Sequence, residues 1–190
     1  MAGAALTFKP VNAATRADFE AVFEGPGGPK YCWCMVYRVT AEEGRADSAA
    51  GRKRQMLGRI DGGVPVGLVG YHGGEPVAWV SIAPKDTYRR LGGPEPEAGE
   101  NIWSLACMYV RRRLRGEGLA HQLIAAAVQH ARAEGATAVE AYPVAPDAPS
   151  YRFMGFVPAF ERAGFTELGM VGTRRHVVRL TLKRASRGKR

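Results

Sequence analysis

The sequence predicts a mixed α/β (α+β) fold, and three stretches carry that expectation. The first runs from Asn101 to Glu134, NIWSLACMYVRRRLRGEGLAHQLIAAAVQHARAE. Its opening, Ile102 to Val110, is a nearly continuous apolar run, as in a strand buried on both faces. Its close is an alanine-rich segment in which Leu119, Leu123, Ala126, Ala127 and His130 keep the period of about 3.6 residues expected of a helix. The second stretch is a hairpin: Val66 to Tyr71, a tight HGGE turn, then Pro76 to Ala83. The third is a closing antiparallel pair, Phe165 to Met170 with His176 to Leu182.

The remaining elements follow in order. Residues 5–11, ALTFKPV, read as a first strand. Thr15 and Asp18 mark the start of a helix that runs to Phe23. The glycines and prolines of EGPGGPK, residues 24–30, make a loop. YCWCMVYR follows, a compact aromatic and sulfur-rich run read either as core or as the wall of a substrate pocket. Cys32 and Cys34 stand two apart, the spacing that puts both on one side of a strand. Thr40 and Glu43 have capping-box spacing, which predicts a helix from there to Ile60, interrupted by Gly44 and Gly51 and ended by Gly62 and Gly63. Residues 84–99 lack periodicity and read as a long functional loop. Gly135 stops the alanine-rich helix, and Thr137 to Tyr142 is the next strand. Pro143, Pro146, Pro149 and Pro158 then break the chain into a rigid loop that carries Tyr151, Phe153, Met154 and Phe156.

Composition bounds what such a chain does. At 190 residues, 46% hydrophobic and 24% charged, it is sized for a single domain over residues 1–182. No apolar run approaches the roughly 18 residues of a membrane span, and the N-terminus lacks the basic start and apolar segment of a secretory signal; both point to the cytoplasm. The net charge of +9 raises nucleic acid as a partner, but five of those charges sit in the last eight residues, KRASRGKR, which leaves +4 for the rest. That segment reads as a solvated, disordered basic tail, and no basic ladder interleaved with aromatics supports nucleic-acid binding. The three cysteines and four histidines show no zinc-site spacing, so no metal is expected.

The turn between the buried strand and its helix carries the chemistry. Four arginines, Arg111, Arg112, Arg113 and Arg115, precede Gly116, Glu117, Gly118, Leu119 and Ala120. Backbone N–H groups at a helix start have no internal acceptor and sit at the positive end of the helix dipole, so a glycine-bearing turn there suits a phosphate or pyrophosphate. The spacing Arg115-x-x-Gly118-x-Ala120 resembles the acyl-CoA-binding motif of the GNAT superfamily of N-acetyltransferases. Ala159 to Phe165, AFERAGF, resembles the short helix and Gly-Phe strand start near the end of those domains, and the CWCM and WSLAC stretches look like one bacterial branch of the superfamily with no substrate named.

The resemblance implies a mostly antiparallel central sheet with a splayed strand pair and flanking helices, with acetyl-CoA as co-substrate. It implies transfer of the acetyl group to a primary amine, of a small molecule or a protein, by direct attack on the thioester. The backbone of Arg115 to Ala120 would hold the pyrophosphate. Met108, Tyr109 and Val110 would pair with the pantetheine arm and the thioester carbonyl. For the general base the candidates are Glu140, a charged residue in the apolar strand AVEAY that could equally be a structural or solvent-facing glutamate, and Glu100 near the start of the buried strand. The tyrosine that serves as general acid in most members is replaced by Phe160, which has no proton to give, and Tyr142 and Tyr151 are its nearest substitutes. That departure supports a second reading, a non-catalytic acyl-CoA-binding sensor. Membership of the superfamily is also compatible with a homodimer.

Overall fold

The computed structural model describes residues 5–46 and 48–182. The basic segment 183–190 therefore lies outside the described residues. Its elements are β1 (Thr7–Pro10), α1 (Arg16–Glu24), α2 (Ala49–Asp61), β2 (Leu68–His72), β3 (Glu75–Pro84), β4 (Ile102–Val110), α3 (Ala120–Ala133), β5 (Ala138–Ala141), α4 (Val157–Arg162), β6 (Thr166–Val171) and β7 (Arg175–Thr181). The strands form one sheet in the order β1-β2-β3-β4-β5-β7-β6. Every neighbouring pair is antiparallel except β4 with β5. This is the mixed, mostly antiparallel sheet that the sequence predicts.

Two layers of helix cover the sheet. On one face Leu123, Ile124, Ala127 and Ala131 of α3 and Phe160 of α4 pack against Val80, Ile82, Leu105, Val139 and Val178. On the other, Phe19, Val22 and Phe23 of α1 and Met56, Leu57 and Ile60 of α2 pack against Val69, Tyr71 and Trp79. Each strand alternates its side chains between these faces, so β4 sends Leu105 to α3 and Ser104 to the opposite side.

Two expectations need correction. The run from residue 40 is not one interrupted helix. Thr40 and Glu43 do form a capping box, with Thr40 N donating to Glu43 Oε2 at 2.8 Å and Glu43 N to Thr40 Oγ1 at 3.2 Å. The box caps only a 3-10 turn over Glu43–Ala46, and α2 starts afresh on the Ser48 side chain, which accepts from Gly51 N at 3.0 Å. YCWCMVYR is not a strand either but a string of tight turns, in which Trp33 and Cys34 have φ of 45° and 55°. Packing decides this: Trp33 leaves the chain direction to stack on Phe23, centroids 5.2 Å apart.

Arg59 of α2 is bound twice by Glu43, Nη1 to Oε1 and Nη2 to Oε2, both at 2.8 Å. Arg59, with the help of Thr40, holds the Glu43 carboxyl down at about 2. The folded pKa lies below the unfolded one, so this contribution is complete above the ordinary carboxylate range and is lost as pH falls toward 2. Arg59→Met should cost about 1 kcal/mol at pH 7, or roughly 2–4 °C in Tm, and nearly nothing at pH 2; thermal melts at the two pH values check this.

Candidate functional site

The parallel ladder between β4 and β5 is short. It pairs Ile102 with Ala138 through Leu105 with Ala141 and then ends. Beyond it the chain after β5 follows β7 instead: His176 N donates to Pro143 O at 2.8 Å and Val144 bridges Arg175. On β4, Ala106 is an extra residue, since Ser81 faces Cys107 while Ile82 faces Leu105. A bulge of this kind bends its strand and raises its twist. From Ala106 onward the β5-facing edge of β4 is therefore free of strand partners.

The phase of the ladder decides which groups that edge offers. Arg111 N donates to Val77 O at 2.9 Å, and Tyr109 and Cys107 lie two and four residues earlier in the same register. Antiparallel pairing alternates, so the Tyr109 backbone turns toward Trp79 and the Met108 and Val110 backbones turn to the open edge. This corrects the expectation for Tyr109. Val110 O accepts from Arg115 Nε at 2.9 Å, which leaves the Met108 amide and carbonyl and the Val110 amide facing outward.

The strand then enters the arginine turn. Leu114 N and Arg115 N donate back to Arg111 O and Arg112 O, so the Arg115 amide is already used. The amides of Gly116, Gly118, Leu119 and Ala120 have no backbone acceptor among the described residues. Gly116 and Gly118 hold φ of 89° and 70°, which side-chain-bearing residues rarely adopt, and this turns the chain into α3. The result is a row of N–H groups at the positive end of a helix of 14 residues. Glu117 lies in this row by position. Arg111 and Arg113 do not serve it: both ion-pair with Glu75 of the hairpin and fix the turn in place. Beside the row, a groove of about 910 Å³ runs between α3 and α4, with Gly118, His121, Gln129, Arg132 and Arg162 in its walls.

A second cavity, about 270 Å³, opens on the opposite face of the sheet. Cys32, Cys34, Val36 and Tyr37 of the turns form one wall, Tyr88 and Phe153 the ends, and Ala106 to Tyr109 of β4 the floor. Its lining is almost wholly apolar and holds no carboxylate. Met108 belongs to both sides: it floors this cavity and also packs with the α3-facing core. A Cβ on Gly155 would come within 2.5 Å of Met108 Cε and 2.8 Å of Phe160, so glycine at 155 is what lets the side chain of Met108 sit there. Phe160 itself is buried, edge-on to Phe165 at 5.2 Å.

The predicted acid–base residues fall elsewhere. Glu140 is fully buried and has four donors: Lys85 Nζ at 2.6 Å, Arg179 Nε at 3.1 Å, Arg179 Nη2 at 2.7 Å and Tyr142 Oη at 3.1 Å. Two cations and a hydroxyl occupy its lone pairs, the pairing of a buried carboxylate that ties β5, β7 and the Lys85 loop together. Tyr142 is equally buried, bonded to Glu140 and Ser104, and burial holds its hydroxyl far above the usual range. Glu100 pairs with Arg179 at 3.0 Å and stands eight residues before Met108, roughly 26 Å along an extended strand. Tyr151 is exposed, in left-handed backbone, beside Phe153 and with Arg175 over its ring. The structure thus sets residues 115–120 in one turn at the start of α3, ties Glu140, Tyr142 and Glu100 to other side chains, and leaves Tyr151 beside Phe153 of the cavity lining.

Sequence reasoning missed a buried polar group next to the cavity. Arg38 is only 1% exposed and donates through Nη2 to Val66 O, Ser81 Oγ and Tyr88 Oη, at 2.9, 3.0 and 2.7 Å. The signal available was Ser81 itself, a lone polar residue on the otherwise apolar strand VAWVSIA.

A family model described as the acetyltransferase (GNAT) family matches residues 33–156. No curated protein matches the chain by sequence. Among solved structures, an N-acetyltransferase from Staphylococcus aureus superposes with a TM-score of 0.55 at 15% identity, over 94% of this chain and 99% of that one. An agmatine N-acetyltransferase gives 0.56 at 14% identity, covering 94% and 100%. A chain of the NatC complex bound to Gag peptide and CoA gives 0.55 at 11% identity, covering 94% and 99%. At these identities the likeness is one of fold.

Glu140→Gln removes the charge that balances Lys85 and Arg179 inside the sheet. It should lower stability by about 3 kcal/mol or more. The shape of the pH–rate profile should be unchanged, which chemical denaturation and steady-state assays measure separately.

Proposed function

Because the chain belongs to the acetyltransferase (GNAT) family, we propose that it moves the acetyl group of acetyl-CoA onto the primary amine of a small molecule with an apolar body. The family uses acetyl-CoA, and the residues present suit it. The amides of Gly116, Gly118, Leu119 and Ala120 would take the pyrophosphate, and the α3–α4 groove the nucleotide end. The Met108 and Val110 groups on the free edge of β4 would take the pantetheine arm. The Met108 amide is the donor placed to polarise the thioester carbonyl as charge develops on its oxygen.

One observation carries the reading. The free edge of β4 is where the anion-binding turn and the apolar cavity, on opposite faces of the sheet, come together at Met108. An amine entering from the cavity would meet a thioester lying along that edge. Holding both reactants across one strand converts a bimolecular encounter into a positioned attack, which is the main source of rate in a direct transfer. The apolar lining favours an acceptor with an aromatic or aliphatic body over a polyamine or a charged peptide.

Thermal unfolding with acetyl-CoA, CoA and ATP tests the cofactor site. Ligand at a hundredfold excess over its Kd adds about 2.7 kcal/mol, roughly 5–10 °C for a chain of this size. The shift is expected with acetyl-CoA and CoA and not with ATP; no shift would overturn the reading. Free-thiol release in an amine panel then tests the acceptor, with arylalkylamines expected above polyamines. A ligand shift with no turnover on any amine would favour a sensor. Gly118→Glu places a negative side chain where phosphate should lie, and should weaken CoA binding at least tenfold, about 1.4 kcal/mol, by calorimetry on the folded variant.

A further inference from the structure

Four aromatic rings line the apolar cavity: Tyr37, Tyr88, Tyr109 and Phe153. Three of them carry a guanidinium. Arg175 lies 5.2 Å from the centre of the Tyr37 ring, Arg38 4.0 Å from that of Tyr88 and Arg115 5.6 Å from that of Tyr109. Among the described residues these arginines bond only to neutral acceptors: Leu91 O for Arg175, Val66 O, Ser81 Oγ and Tyr88 Oη for Arg38, and Val110 O for Arg115. The lining itself holds no carboxylate. Charge of one sign around an apolar space focuses its field there and draws in the opposite sign. An acceptor with a negative group suits this cavity, and one with a second cation does not.

Of the three arginines, Arg175 is the one placed to bind that group. Arg38 is 1% exposed, and its unpartnered nitrogens are buried. Arg115 belongs to the glycine turn. Arg175 is half-buried at the start of β7, where Val144 bridges it beyond the end of the β4–β5 ladder. Residues 175, 177 and 179 share one face of β7, and Val177 packs with Tyr88 and Ala106 of the cavity lining. The guanidinium has three supports: the Tyr37 ring, the Tyr151 ring at 5.7 Å, and Leu91 O, which accepts from Nη1 at 2.8 Å. Tyr151 in turn stands edge-on to Phe153 of the lining, with ring centres 6.3 Å apart.

These supports leave one edge of the guanidinium open. Nε and Nη2 of Arg175 have no hydrogen-bond partner among the described residues. Those two N–H groups point the same way and form the fork that grips a carboxylate. Arg179, four residues along the same strand face, has that fork filled: its Nε and Nη2 both donate to Glu140 Oε1, at 3.1 and 2.7 Å. Arg175 is oriented by rings and a carbonyl, with no carboxylate of its own.

We propose that Arg175 binds the carboxylate of the acceptor, and that the acceptor is an α-amino acid with an aromatic or branched aliphatic side chain. The transfer rests on the acetyltransferase reading above; the carboxylate site does not. The apolar side chain fills the cavity, the carboxylate sits in the Arg175 fork, and the amine faces the Met108 edge. A volume of about 270 Å³ suits a molecule of that size, since drug-sized ligands take roughly 300–1,000 Å³. The absence of carboxylates from the lining then serves specificity, because an acidic wall would compete for the fork.

Binding is tested first, by calorimetry on the full-length chain with and without CoA. The ligands are L-phenylalanine and L-leucine, each beside its amide and its decarboxylated amine. At least one amino acid should bind at least tenfold tighter than both of its partners, a difference of about 1.4 kcal/mol. The gap should narrow as salt screens the half-buried pair. No binding of either amino acid, or equal binding within each set, would overturn the proposal on the wild-type chain alone. In Arg175→Met the gap should close, and Arg175→Lys, which keeps the charge without the fork, should restore only part of it. A gap that persists in folded Arg175→Met would overturn the assignment to this residue.

The acceptor role is read from turnover. The kcat/KM of the amino acid should exceed that of its decarboxylated amine at least tenfold, and the ratio should collapse toward one in Arg175→Met, a change that a merely structural role would not produce. Amines turned over without regard to the carboxylate would overturn the proposal and leave the acetyltransferase reading standing. Failure of that reading shows separately, as carboxylate-dependent binding with no acetyl-CoA shift and no thiol release.

Discussion

The site depends on the separation of β4 from β5. A strand edge carries a donor and an acceptor at every second residue, and those groups need partners. The ladder supplies them only as far as Leu105 and Ala141. After that the chain beyond β5 is drawn to β7 through Pro143 and Val144, while β4 carries a bulge at Ala106. The open edge, the approach to the glycine turn that follows it and the cavity beneath it all stand at that one divergence.

Two buried charges flank the divergence and are treated oppositely. Glu140 sits on the paired part of β5 with two cations and a tyrosine around it, which ties together β5, β7 and the loop that carries Lys85. It is a clamp on the closed end of the strand pair. Arg38, near the open end, has only neutral acceptors and two unpartnered nitrogens among the described residues. A satisfied buried charge fixes structure, and an unsatisfied one biases the ionisation of its neighbours. The contrast sets a fully paired charge at the closed end of the strand pair against an incompletely paired one at the open end.

The long loop after β3 links the two. Lys85 reaches Glu140, while Tyr88, three residues on, reaches Arg38 and Ser81 and closes one end of the cavity. The same short segment therefore sets both the clamp and the pocket wall. Most of the loop is exposed, and individual side chains such as Lys85 and Tyr88, not a helix or strand face, make its contacts.

Much of this was legible in the residues alone. Periodicity gave the helix over 120–133, apolar alternation and turn glycines gave the hairpin, and the arginine–glycine run gave the turn between β4 and α3, because each of these depends on local backbone chemistry. Local rules misread the CWCM run, since Trp33 stacking on Phe23 twists it into left-handed turns that no strand pattern foretells. They also gave Glu140 no more than even standing as a base, since the cations that engage it come from residues 55 and 39 positions away. The sequence by itself determined the order of elements and the glycine-bearing turn between β4 and α3, both fixed by neighbours along the chain. Only the tertiary structure decided which charges are neutralised, because burial and counter-charge are set by residues brought together across the sheet.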